Sequence, residues 1–286
     1  MARFNINAAV GLADDESRIW PSTRAAIERL GYQITAAPGQ PNSKLGGGAF
    51  AVVFYAEHVV NKRPVAREFA QAIYQCCHEA GAQPFLVLEH IRGTTIDRFA
   101  ADRCPSWDER SELLEELLHG LRLLHERNLT HRDVSASNVL VDQRSKVRFL
   151  DFGEAGEIVR NTQHTTLNPL GNPVYSPGEQ KNGEKRAGPE DGIYNCAMIA
   201  VHVLTGTEPP ANLTRSGDRE HLARCAKQLR EARVPAGLRD VVLRGLRAPK
   251  HRYQTAQGMA EALFSYRVRR PQRRPWCPPC CCCSWP

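Results

Sequence analysis

The chain has 286 residues, 42% of them hydrophobic and 24% charged, enough for one large domain or two lobes with a core that needs no metal or disulfide staple. Its formal charge is +7, but Arg267, Arg269, Arg270, Arg273 and Arg274 lie beyond the last acid, Glu261; without them 33 basic residues face 31 acidic ones, which argues against a nucleic-acid face on the body. The longest apolar run, Ala197–Leu204, is eight residues and includes His202, far below the roughly 18 that cross a bilayer.

The first residues lack the apolar stretch of a secretory signal, so a cytoplasmic location is expected. Five of the ten cysteines (277, 280, 281, 282, 283) sit in the tail, and Cys76, Cys77, Cys104, Cys196 and Cys225 have no metal-ligand spacing. A disulfide framework is not expected.

In chain order, residues 1–44 read as a mixed lead-in with a helix around Thr23–Leu30, broken at Pro38–Pro41. Ala51–Tyr55 is strand-like, and Asn61–Pro64 reads as a turn. The next interval has two readings. Phe69, Ala72, Ile73, Cys76, Cys77 and Ala80 have a helical period, whereas Ala72–Cys77 equally suits a strand hairpinned to the apolar strand Phe85–Leu88 through Glu79–Ala82. From about Glu109, Leu113, Leu114, Leu117, Leu118, Leu121 and Leu124 recur at helical spacing, which predicts a helix ending near Asn128. Val139–Val141 and Val147–Leu150 predict a hairpin, and helices dominate after Gly192. Strands early and helices late imply an α+β chain with a small sheet lobe and a larger helical lobe.

The strongest chemical signal is His131-Arg132-Asp133 followed by Asn138, then Asp151-Phe152-Gly153 thirteen positions beyond Asn138. The hairpin between them brings Asn138 and Asp151 together. An amide oxygen and a carboxylate suit Mg²⁺, a hard cation that prefers oxygen. Asp133, five residues before Asn138, is placed to accept a proton from an attacking hydroxyl.

These paired motifs, H-R-D-x-x-x-x-N and D-F-G in this order and spacing, resemble the eukaryotic-type protein kinase family. The resemblance runs from about Leu45 to Arg267. Leu45–Val53 looks like the family's glycine-rich loop, which implies that Gly46 and Gly48 close over the phosphates of ATP. It implies that Val53 and Leu140 cover the two faces of adenine, that Leu88 is the gatekeeper, and that the Glu89 and Ile91 backbone bonds the adenine edge. Gly171–Gln180 resembles the end of an activation segment, where Glu179 is expected to pair with Arg252. Ile193–Gly206 looks like the central helix of the large lobe.

The fold implied is the bilobal one: a lead-in at 1–44, a kinase-like domain at 45–267 (small lobe 45–88, hinge 89–92, large lobe 93–267), and a basic, Cys-rich, disordered tail at 268–286. The function implied is transfer of the γ-phosphate of ATP to Ser/Thr hydroxyls of proteins, with Asp133 as base and Asn138 and Asp151 holding Mg²⁺. A pseudokinase acting as scaffold or allosteric partner is the alternative. Acylation of the tail cysteines would add membrane contact.

Four departures from the family pattern stand out. Glu68 occupies the slot of the third-strand lysine, with Arg67 and Lys62 as nearby cations. One small-lobe element between Glu68 and Glu89 is missing. Ser135 replaces a phosphate-contacting lysine. Gly192 stands where the central helix usually offers an Asp to the catalytic-loop backbone, with Asp191 adjacent. Thr162, Thr165, Thr166, Tyr175 and Ser176 lie in the regulatory segment, and the resemblance implies that Arg132 pairs with a phosphate at Thr165 or Thr166.

Overall fold

The computed structural model describes residues 25, 28–29, 32–34, 44–47, 52–54, 56–58, 73–77, 85–88, 91–152, 156–157, 172–178, 188–212 and 216–269. The chain forms two compact units, residues 1–96 with 137–152, and 97–136 with 153–286.

The first unit is built from short antiparallel pairs. β1 (Tyr32–Ile34) pairs with β4 (Ala56–His58), and β2 (Lys44–Gly47) pairs with β3 (Val52–Phe54). β5 (Ile73–Cys77) pairs with β6 (Phe85–Leu88), Cys77 standing opposite Phe85 and Ile73 opposite Leu88. That pairing settles the ambiguous interval in favour of the hairpin over the helix. The β-branched and aromatic pair Ile73-Tyr74 suits a pleated surface, and Gly81 lies in the connection.

β7 (Gly93–Thr95), β9 (Val139–Asp142) and β10 (Val147–Phe149) form a three-stranded sheet in the order β10-β9-β7. Val139, Val141, Val147 and Phe149 are fully buried, while Leu140 and Asp142 alternate outward. Asp142 organises the hairpin turn, its Oδ1 accepting from the amides of Arg144 (2.8 Å) and Lys146 (3.0 Å). β7 approaches so closely that a Cβ on Gly93 would lie 2.4 Å from the Val141 carbonyl oxygen, so only glycine fits there.

The second unit is helical. α1 (Ile96–Arg103) starts at the unit boundary, and α2 (Trp107–Glu126) follows, with Ser106 and Glu109 forming a reciprocal capping box. The six leucines of the predicted stripe are all buried, and the helix starts two residues earlier than the periodicity alone implied because that cap sits at Ser106. β8 (Leu129–Thr130) pairs with β11 (Gly156–Glu157).

α3 (Pro189–Thr205) is the axis of this unit. It is buried along nearly its whole length and packs against α2, α4 (Arg219–Glu231) and α5 (Ala236–Gly245). α6 (Ala256–Arg269) lies along α2, where Arg267 bridges Glu112 and Glu115. No helix among the described residues is long and apolar enough to cross a membrane.

Candidate active site

In the second unit the segment 131–136 links β8 to the hairpin. His131, Val134, Ser135 and Ala136 are buried, whereas the Asp133 side chain is half-buried. Two hydrogen bonds from distant residues are among the contacts that hold this segment. Asp133 Oδ1 accepts from the backbone amide of Asn172 at 2.8 Å. The Val134 carbonyl accepts from Asn195 Nδ2, on α3, at 3.0 Å.

Asn172 also shapes the turn that follows it. Its side-chain Oδ1 accepts from Val174 N (2.9 Å), and its carbonyl accepts from Ser176 N (2.9 Å) and Tyr175 N (3.2 Å). Tyr175 ties the turn to α3, its hydroxyl 2.7 Å from His202 Nδ1 and its ring stacked on the imidazole. Burial pushes the Tyr175 phenol up, and the acids Glu208 and Asp97 add to the effect. Tyr175 and Ser176 are 4% and 0% exposed, so neither hydroxyl is presented for modification in this conformation.

In the first unit the predicted hairpin forms between the other two motif residues. Leu150 N donates to the Asn138 carbonyl at 2.8 Å, so Asn138 and Asp151 flank one end of the ladder. Asp151 is exposed and Asn138 half-buried. An amide oxygen and a carboxylate on that end make a hard-donor set that fits Mg²⁺ and suits an ion which completes its shell with water and phosphate.

Backbone strain falls on both motifs. Among the described residues, five non-glycines have a left-handed backbone: Asn128, Arg132, Ser145, Asp151 and Arg233. Asn128 follows α2, Arg233 follows α4 and Ser145 sits in the hairpin turn, where this conformation closes an element. Arg132 (φ 67°) and Asp151 (φ 55°) close no helix or hairpin turn. At 1–2 kcal/mol each, roughly, they persist because their surroundings hold them, the pattern found at functional positions.

The remaining predicted positions are placed as follows. Gly46 stands opposite Val53 in the β2–β3 ladder. Ile91 is buried just ahead of β7. Leu140 lies on β9 between Thr95 and Arg148. Gly48, Lys62, Arg67, Glu68, Glu89, Thr162, Thr165, Thr166 and Glu179 lie outside the described residues, as does the tail from Arg270.

Arg252, expected opposite Glu179, is buried at 2% exposure. Its Nη1 donates to the Glu190 carbonyl (2.6 Å) and lies 3.6 Å from Asp191 Oδ1, its Nε donates to the Arg247 carbonyl (3.0 Å), and its guanidinium lies 5.0 Å from the Tyr194 ring centroid. Asp191 Oδ2 also accepts from Gly188 N, closing the start of α3. Asn172, Asn195 and His202 were not singled out by motif spacing. Asn195 and His202 were legible only as polar residues within the apolar stretch Ile193–Leu204 of that helix.

A β-rich first unit, a second unit organised on a buried central helix, and the two motif loops together define a protein of the kinase-like class. Residues 68–285 match the protein kinase domain family, and the chain belongs to that family. It is 29% identical over 209 residues to serine/threonine-protein kinase PknB of Mycobacterium tuberculosis, covering 68% of this chain and 32% of that protein. It is 25% identical over 249 residues to serine/threonine-protein kinase PrkC of Bacillus subtilis (75% and 38%), and 28% identical over 126 residues to serine/threonine protein kinase OSK3 of Oryza sativa (44% and 24%). The chain therefore spans about a third of the length of the bacterial relatives it matches.

Proposed function

We propose that the chain is an active, ATP-dependent kinase that phosphorylates Ser/Thr hydroxyls of proteins. Asp133 takes the proton of the acceptor hydroxyl as its oxygen bonds to the γ-phosphorus, and the bridging P–O bond breaks to release ADP. Asn138 and Asp151 hold Mg²⁺, which neutralises charge on the phosphates. The Gly46 and Gly48 loop covers those phosphates, and the backbone at Glu89 and Ile91 receives adenine.

One observation carries this reading. Asp133, Asn138 and Asp151 are all present, and two left-handed non-glycines, Arg132 and Asp151, fall within the same two motifs. Strain of that kind is costly to keep in a fold that makes no use of it. The three similar proteins named above are serine/threonine kinases by name, which supports the acceptor class. Ser135 in the lysine slot lowers the expected turnover: one missing preorganised donor costs about 3 kcal/mol of transition-state stabilisation, or roughly 100-fold in rate.

The test is thermal unfolding of the full chain with and without Mg-ATP, beside Asp151→Ala, followed by phosphate transfer beside Asp133→Ala. Ligand at 100 times its dissociation constant adds about 2.7 kcal/mol, a rise of roughly 5–10 °C in midpoint. A metal-dependent rise lost in Asp151→Ala, with transfer lost in Asp133→Ala, is expected. Cooperative unfolding indifferent to Mg-ATP would overturn the proposal in favour of a pseudokinase.

A further inference from the structure

We propose that Asn195 is the positioning residue for Asp133, acting through a hydrogen bond to the catalytic-segment backbone. The inference deepens the kinase reading, because the role assigned to Asn195 presupposes Asp133 as the base. Asn195 is 2% exposed on a helix whose other buried residues are mostly apolar. A buried primary amide is costly unless it is bonded, and this one donates to the carbonyl of Val134, the residue directly after Asp133, at 3.0 Å. On the other side of Asp133, Arg132 is left-handed. The segment therefore needs a fixed point to stay in that conformation, and the Asn195 amide is one, 61 residues away in sequence.

The packing of α3 explains why the contact comes from this position. The resemblance places the helix's usual acid at Gly192. A Cβ there would lie 3.1 Å from Leu121 Cδ1 and 3.4 Å from His125 Nε2, so α2 crowds the spot and leaves little room for a side chain. Three residues on, Asn195 reaches the Val134 carbonyl. An acid could not do the same work, because a carbonyl needs a donor and a carboxylate has none. The Asp133 carboxylate is held separately by the Asn172 amide. Asp133 is thus located through its backbone by α3 and through its side chain by the 172–178 turn.

The decisive variant is Asn195→Asp, which keeps the shape and removes the donor. Amide hydrogen exchange is measured across the full chain, with Val242→Ala as a control that loosens a buried site on α5. Asn195→Asp is expected to speed exchange at residues 132–136 by roughly 10–100-fold while leaving α4 and α5 unchanged. Val242→Ala should not open residues 132–136 selectively.

In kinetics kcat should fall by a similar factor, with KM for ATP within about threefold. Wild-type exchange at 132–136, or an equal rise throughout the second unit, overturns the proposal. If Asn195→Asp does not fold, Asn195→Ser serves, since its shorter hydroxyl stops short of the Val134 carbonyl and wild-type exchange there is equally fatal. Selective opening in a chain that transfers no phosphate supports the positioning role and overturns the kinase reading. Transfer with no opening does the reverse.

Discussion

Arg252 offers the sharpest test of how the second unit is held together. Its guanidinium is buried and contacts the Glu190 and Arg247 carbonyls, the Asp191 carboxylate and the Tyr194 ring. Arg252→Ala would remove a charged donor from two carbonyls and take from a carboxylate with 4% side-chain exposure the guanidinium 3.6 Å away. Breaking a buried pair by removing one partner costs about 3–5 kcal/mol, and that range already contains the lost hydrogen bonds. Against a total stability of roughly 5–15 kcal/mol the loss is large.

The assay is urea unfolding. With a slope near 2 kcal/mol per molar, the midpoint should fall by about 2 M. Arg252→Lys should recover part of this, because the charge survives but the planar fork does not. Adding Asp191→Asn to Arg252→Ala should also recover part, because the stranded charge disappears. An Arg252→Ala midpoint equivalent to less than about 1 kcal/mol of loss would refute the assignment of this cluster as a structural pin.

Three further outcomes are expected. Gly192→Asp, which restores the family's usual residue, should destabilise by about 1–3 kcal/mol in urea unfolding, since its Cβ would lie 3.1 Å from Leu121 Cδ1 and Leu121 must give way; a stabilised variant would show that α2 and α3 are not crowded there. Tyr175→Phe removes the hydroxyl bonded to His202 and should cost about 0.5–1.5 kcal/mol, with faster amide exchange confined to residues 172–178; unchanged exchange there would exclude the tie. Burial pulls His125 down to about 4 from 6.5, with Glu190 opposing, so it is neutral in the folded chain while the unfolded chain takes up a proton below 6.5. Stability from this site is therefore full above pH 6.5 and is lost as pH falls toward 4, by about 2 kcal/mol at pH 5. His125→Gln should flatten that part of the pH profile, and an unaltered slope would show that other groups produce it.

Much of the chemistry could be read along the chain. Asp133, Asn138 and Asp151 are marked by spacing, and the hairpin between the last two follows from two short, largely apolar runs around a polar turn. The leucine stripe of α2 carries its own period, and local pattern is enough for such elements because both partners are near in sequence. Ile73–Cys77 was different. A short apolar run satisfies helix and strand alike, and only pairing with Phe85–Leu88 decided it.

The supports of Asp133 lay further still from sequence reading, because Asn195 to Val134 spans 61 residues, Asn172 to Asp133 spans 39, and Tyr175 to His202 spans 27. Spacing counts residues along the chain but says nothing about which faces meet. At Gly192 the sequence by itself showed only that an acid was missing. That α2 crowds the position, and that Asn195 three residues on points at the catalytic segment, depends on how α3 packs, which is a property of the tertiary structure alone.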